Sequence, residues 1–240
     1  MGSALALLLG LFKFGKMGGT ILTMLVSLAI YAGLFGWRFA LGFIGLLMVH
    51  EMGHFIAAKQ RGLAVGTPTF IPFVGAWIEL KEQPMDVETE AYVAAAGPFL
   101  GTVGATLVYF WGRQTESGLL LAIAYSGFFL NFINLIPLPP LDGGRMTAIL
   151  SSRVWFIGVP LMILLMLYRP SPLLILIGIA AIPALMKAWK YDPRAKENQA
   201  YYGAPLAMRV EYGAFYLGLA GFLAVMTDAT HGMIQGRLGG

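Results

Sequence analysis

The chain contains no cysteine. Disulfides and thiolate ligands are thereby excluded, and any metal site must be built from nitrogen and oxygen donors. Charge is also scarce. Asp, Glu, Lys and Arg make up 12% of the 240 residues, while 58% are hydrophobic and the mean hydropathy is +0.74. That is about half the charge of a soluble domain. Too little is present to cover a water-facing surface, so the expected class is an all-α polytopic membrane protein. Long polar segments are missing too. The linker at about 190–206 is too short for a second domain, and there is no internal repeat or low-complexity tract. A single membrane-embedded domain over 1–240 is expected. No basic run is interleaved with aromatics, which speaks against a nucleic-acid partner. The net charge of +4 instead reports topology.

Apolar stretches long enough to approach a membrane crossing lie near 20–37, 39–58, 91–112, 118–137, 154–168, 171–189 and 207–227. About 20 residues are needed to span. The expectation is about six transmembrane helices, with 207–227 a C-terminal hydrophobic helix and the least secure span. Ala4 to Phe12 is too short to cross. Its flanking Lys13 and Lys16 follow the apolar run, whereas a secretory signal carries its charges first, so the segment reads as interfacial or re-entrant.

Lys and Arg concentrate on one side if the N-terminus is cytoplasmic. Lys59, Arg61, Arg145, Arg153, Lys187, Lys190, Arg194 and Lys196 then fall inside, against Arg38, Arg113 and Arg169 outside, with Arg237 joining them if the last stretch spans. On this scheme the end of the second helix, with His50 to His54, and the end of the fourth, leading into Asp142, reach the same leaflet.

Residues 62–89 interrupt the helical pattern. Pro68, Pro72, Gly66 and Gly75 break an apolar run, and Ala76, Ile78 and Leu80 alternate with Trp77, Glu79 and Lys81. That alternation is strand periodicity, with turn chemistry at Pro72 to Gly75. A small re-entrant β-hairpin is expected. An open hairpin cannot leave its backbone groups facing lipid, so it must lie at the interface or line a cavity.

The sharpest signal is His50-Glu51-Met52-Gly53-His54. Positions i and i+4 share one helix face, so both imidazoles can bind one cation. Glu51 is placed to serve as a general base toward water at that cation. Zinc suits imidazole and carboxylate ligands with one position left open. Two of the chain's three histidines fall inside the pattern. Of the acidic residues, only Glu51 and Asp142 lie in or beside apolar runs. Such residues are rare in membranes, because a charge at the bilayer centre costs roughly 2.5–3.5 kcal/mol on insertion scales. A buried ion pair between Glu51 and a helix-end arginine is the structural alternative.

A catalytic zinc normally keeps three protein ligands. Asp142, in Asn134-Leu-Ile-Pro137-Leu-Pro139-Pro140-Leu141-Asp142-Gly143-Gly144, is the candidate third. The prolines end the fourth helix, and the glycines permit a tight turn after the carboxylate. Alone, Asp142 would read as a helix cap; the topology that brings it beside the histidines favours a ligand. Asn134 could donate to a substrate carbonyl or a developing oxyanion, or simply bond a neighbouring helix. Asn131, one turn earlier, reads as packing. Gly97, Pro98, Gly101 and Gly104 fit close helix packing, and His231 reads as interfacial.

The HExxH helix combined with N-x-x-P-x-P-x-L-D-G-G after another helix resembles the site-2 proteases, the intramembrane zinc metalloproteases. The resemblance covers about residues 20–190. It implies Zn²⁺ held by His50, His54 and Asp142, with Glu51 as catalytic base and Asn134 as the family's motif asparagine. It further implies that 62–89 is a re-entrant β-element presenting an extended substrate, and that the partners are a single-pass transmembrane substrate and the lipid bilayer. The expected location is the membrane of a prokaryotic cell, with the active site toward the cytoplasm. The chain departs from many members in having no room for a PDZ or CBS module. A membrane zinc carrier or sensor, or a catalytically silent scaffold, remain the other classes. A carrier needs a polar path to both faces, and none continues outward from His50.

Overall fold

In a bilayer every backbone polar group must find its partner within the chain, so apolar runs fold as helices. A computed structural model describes residues 16–66, 69–71, 75–77, 84, 86–168 and 170–238. All seven apolar stretches are helical in it. Helices α1 (Lys16–Phe35) and α2 (Trp37–Gln60) meet at Gly36, whose φ of 86° suits a residue without a side chain. Helix α3 (Val87–Gln114) starts at Asp86, which accepts from the Thr89 amide, and α4 (Gly118–Asn134) starts at Ser117, which accepts from the Leu120 amide. A short α5 (Asp142–Thr147) follows, then α6 (Trp155–Tyr168), α7 (Pro172–Trp189), the short α8 (Lys196–Tyr202) and α9 (Leu206–Leu238).

The chain is a helical integral membrane protein. Among the described residues, three helices have both the length and the composition to cross: α2, α3 and α9 over Leu206–Gly236. The other apolar helices are shorter: Gly19–Phe35, Gly118–Asn134, Ser152–Leu167 and Leu174–Trp189. The stretch at 207–227, the least secure span on sequence, thus lies in the longest helix.

Two short strands, β1 (Thr69–Ile71) and β2 (Gly75–Trp77), pair antiparallel with Phe70 opposite Ala76. The turn at 72–74 and the alternation beyond Trp77 lie outside the described residues, as does the N-terminal segment Ala4 to Phe12.

Lipid tails are as apolar as leucine, so helix contacts rest on small residues and hydrogen bonds. At the α2–α3 crossing, a Cβ on Gly53 would lie 2.2 Å from the Ala96 carbonyl oxygen, so only glycine permits this approach. The main core unites α3, α4 and α9 around Ala105, Leu121, Phe128 and Leu223.

The segment carrying Asp142 is braced from several sides. Trp155 Nε1 donates to the Gly144 carbonyl at 2.7 Å, and Thr147 Oγ1 donates to that of Gly143 at 2.6 Å. Tyr216 of α9 donates to the Leu135 carbonyl at 2.6 Å. Arg209 donates to the carbonyls of Leu150, Tyr202 and Ala204. Glu90 accepts from Arg145 Nε at 3.4 Å and from the Tyr201 hydroxyl.

Burial, and after it the Glu90 carboxylate, push the Tyr201 phenol well above the ordinary tyrosine range. The fold therefore favours the protonated phenol. This contribution is whole below the unfolded pKa of about 10 and is lost as pH rises beyond it. Thermal unfolding in detergent at pH 8 and pH 10.5 should show a smaller alkaline loss of Tm in Tyr201→Phe than in the wild type. Equal losses would mean that this phenol carries none of the alkaline sensitivity.

Candidate metal centre

Helix α2 carries His50 and His54 one turn apart on one face, with ring centroids 4.9 Å apart. Asp142 enters at the first residue of α5, beside the same turn. Its Oδ2 lies 3.1 Å from His50 Nε2 and 3.2 Å from His54 Nε2, and the two Nε2 atoms are 3.1 Å apart. All three side chains are buried, Asp142 at 8% exposure. Asp142 therefore does not cap α5. The N-cap is Leu141, and the carboxylate points to the imidazoles instead.

The opposite ring nitrogens decide what this triangle is. His54 Nδ1 faces the Val93 carbonyl at 2.8 Å, a group that can only accept. His50 Nδ1 faces Asn131 Oδ1 at 2.7 Å, while Asn131 Nδ2 donates to the Gly127 carbonyl at 2.8 Å. Both neutral rings are thus Nδ1–H tautomers, with acceptor lone pairs at Nε2. Three acceptors converge within 3.2 Å, and no proton lies between the neutral rings to join them. Convergence of this kind suits a cation. A tetrahedral ion with bonds of about 2.05 Å has ligand–ligand edges of roughly 3.3 Å, close to the sides of this triangle. The donor set of two imidazoles and one carboxylate fits zinc and leaves a position open. Among the described residues, His50, His54 and Asp142 form a group that could hold a metal ion.

Glu51, the next residue on α2, is 6% exposed. Among the described residues it makes no hydrogen bond or ion pair, so the pair with a helix-end arginine does not form. The nearby Arg145 is held by Glu90 instead. Glu51 lies within electrostatic reach of His54, His50, Asp142 and Arg145, none of which forms an ion pair with it among the described residues.

Asn131 is not mere packing: it bonds a candidate ligand. Asn134 ends α4, half-buried, and makes no hydrogen bond among the described residues. His231 packs on the Tyr125 ring, with centroids 5.3 Å apart. The glycines of α3 prove more specific than general close packing. A Cβ on Gly97 would lie 2.2 Å from His54 Nε2, and one on Gly101 would lie 2.5 Å from Asn131 Oδ1. Gly143 and Gly144 do not make a turn; they sit in the first turn of α5. There a Cβ would strike the Leu135 carbonyl oxygen or the Pro139 nitrogen, each at 2.2 Å. The backbone of the returning loop needs that space. Asn131, which reads from sequence as packing, and Val93, which the sequence does not single out, had one legible signal between them: an amide in an apolar helix, four residues after a glycine.

A cavity of about 670 Å³ opens beside the site between α2, α3 and the start of α9. Gly53, Ala57 and Ala96 line it near the histidines, and Arg61, Glu88 and Glu211 toward the helix ends.

Residues 38–118 match peptidase family M50. A zinc metalloprotease of Methanocaldococcus jannaschii is 28% identical over 144 residues, covering 57% of this chain and 41% of the relative. A probable chloroplastic zinc metalloprotease of Arabidopsis thaliana is 37% identical over 67 residues, covering 26% of this chain and 12% of the relative. The chain spans less than half the length of these curated relatives. A site-2 protease structure from Methanocaldococcus jannaschii aligns with a TM-score of 0.47 at 21% identity, covering 71% of this chain and 89% of the other. The matched stretch includes His50, Glu51 and His54 and ends before Asp142.

The Gly97 contact generates a prediction. Gly97→Ala should displace the His54 ring and lower divalent-metal uptake by about tenfold or more, the range seen when a ligand loses its support. Metal content measured on equal amounts of folded protein checks this. Unchanged uptake would mean that the ring is free to shift.

Proposed function

We propose, from the metal group's geometry and the similarity of residues 38–118 to peptidase family M50, that the chain is a zinc-dependent intramembrane peptidase. Its substrates are single-pass membrane proteins cut in or near their spans, as in regulated intramembrane proteolysis. The observation that carries this reading is the convergence of His50 Nε2, His54 Nε2 and Asp142 Oδ2 on one point, with the buried Glu51, unpaired among the described residues, next to His50 on α2.

In this reading His50, His54 and Asp142 hold the zinc ion. When bound, zinc supplies Lewis acidity toward a carbonyl and makes water more acidic. Glu51 takes a proton from the attacking water and returns it to the leaving amine. Its lack of a cationic partner supports that role, since an ion pair would hold the carboxylate away from the water. Asn134, at the end of α4, is the candidate donor to the substrate carbonyl. A substrate helix must unwind before a peptide bond is reachable. The extended segment then adds to the edge of the β1–β2 pair, a mode that fits its two short strands. Water reaches the site from the polar side of the membrane. The bias of Lys and Arg supports a cytoplasmic site within one membrane-embedded domain of about six spans. A prokaryotic cell membrane is its location.

Two variants of the purified protein test this, with cleavage of a transmembrane substrate and metal content both measured. Glu51→Gln should keep about one zinc per chain and lose activity by roughly 10²–10⁴-fold, the usual loss for a general base. Asp142→Ala should lose both metal and activity. Cleavage by Glu51→Gln at the wild-type rate would sink the proposed role of this base.

A further inference from the structure

We propose that Asn131 is a positioning residue for the metal group, holding His50 as the Nδ1–H tautomer with Nε2 aimed at the point shared with His54 and Asp142. The inference rests on the metal reading above, but not on proteolysis. Asn131 is 1% exposed in α4 and touches neither Asp142 nor the meeting point of the three donors by any hydrogen bond. It acts through His50. Its amide is oriented by its own helix: the Gly127 carbonyl can only accept, so the amide nitrogen must face it. The oxygen is left for His50 Nδ1, at 2.7 Å. Helix α3 makes room for this arrangement. A Cβ on Gly101 would lie 2.5 Å from Asn131 Oδ1 and 2.8 Å from Nδ2.

The two histidines are therefore oriented in different ways. His54 leans on a backbone carbonyl, that of Val93, which no side-chain substitution removes. His50 leans on a side chain. Outer partners of this kind fix ring orientation and raise ligand basicity, and their loss typically costs 10–100-fold in metal affinity. The competing explanation is an interhelical hydrogen bond that serves only folding. The two differ in what replaces the amide. A carboxylate keeps the acceptor for His50 but cannot donate to Gly127. A leucine of similar size keeps neither.

The test is the affinity of the apo chain in detergent for Zn²⁺ and Co²⁺, by chelator competition, with the Co²⁺ d–d absorption recorded alongside. Asn131→Leu should bind about 10–100-fold more weakly, with a shifted Co²⁺ spectrum, while Asn131→Asp stays within about threefold of wild type. Wild-type affinity in Asn131→Leu overturns the proposal. Equal weakening in both variants also overturns it, because the amide rather than its acceptor would then matter. Where Asn131→Leu does not fold, Gly101→Ala pushes the amide off His50 and should weaken binding by about tenfold; unchanged affinity there overturns the proposal as well. A wild-type chain that takes up neither ion removes this inference together with the metal reading. Metal uptake without peptide cleavage removes only the peptidase.

Discussion

Three acceptor atoms held within 3.2 Å of one another in the buried interior of the helices are the constraint on which this structure turns. Bringing two imidazole lone pairs and a carboxylate oxygen together is unfavourable unless a cation joins them. In low dielectric that cost rises, because unpaired buried polar groups lose their water without compensation. The protein nonetheless holds every element of the arrangement in place. Val93 and Asn131 set the rings from behind, Gly97 gives the His54 ring its space, and Gly53 lets α2 and α3 cross closely enough for these contacts to form. A merely structural cluster would have no need of such a set of supports.

The C-terminal helix belongs to the same device. Asp142 sits on a six-residue helix that could not hold its position alone. The carbonyl before the returning loop, Leu135, is bonded by Tyr216, and the carbonyl after α5, Leu150, is bonded by Arg209. Both donors lie on α9, which also joins the main core through Leu219 and Leu223. Glu90 adds a third tie, joining Arg145 of α5 to Tyr201 of α8. Helix α9 therefore braces the segment that carries the Asp142 carboxylate from both sides.

Much of this was legible in the residues themselves. The i, i+4 histidines lie on a helix because the surrounding residues favour one, and helix geometry alone then puts both rings on one face. Asp142 could be placed beside them because basic residues report which leaflet each helix end reaches. What was not legible depended on contacts between helices. Asn131 looks like any buried amide until α2 is packed against α4. Gly143 and Gly144 look like a turn until the loop from Leu135 to Pro139 is seen folded over them. The bracing by α9 was hidden for a similar reason: Arg209 and Tyr216 bond backbone carbonyls, which leave no mark in a sequence. The apolar stretch at 207–227 could be recognised as a helix, but composition does not report what a helix holds.

The arrangement has its simplest explanation if His50, His54 and Asp142 bind one ion together. X-ray absorption at the zinc edge, on the zinc-loaded chain in detergent, tests it most directly. A shared ion gives a four-coordinate shell of nitrogen and oxygen at about 2.0–2.1 Å, with the multiple scattering of two imidazoles. A six-oxygen shell without imidazole scattering, or a single imidazole, would contradict it.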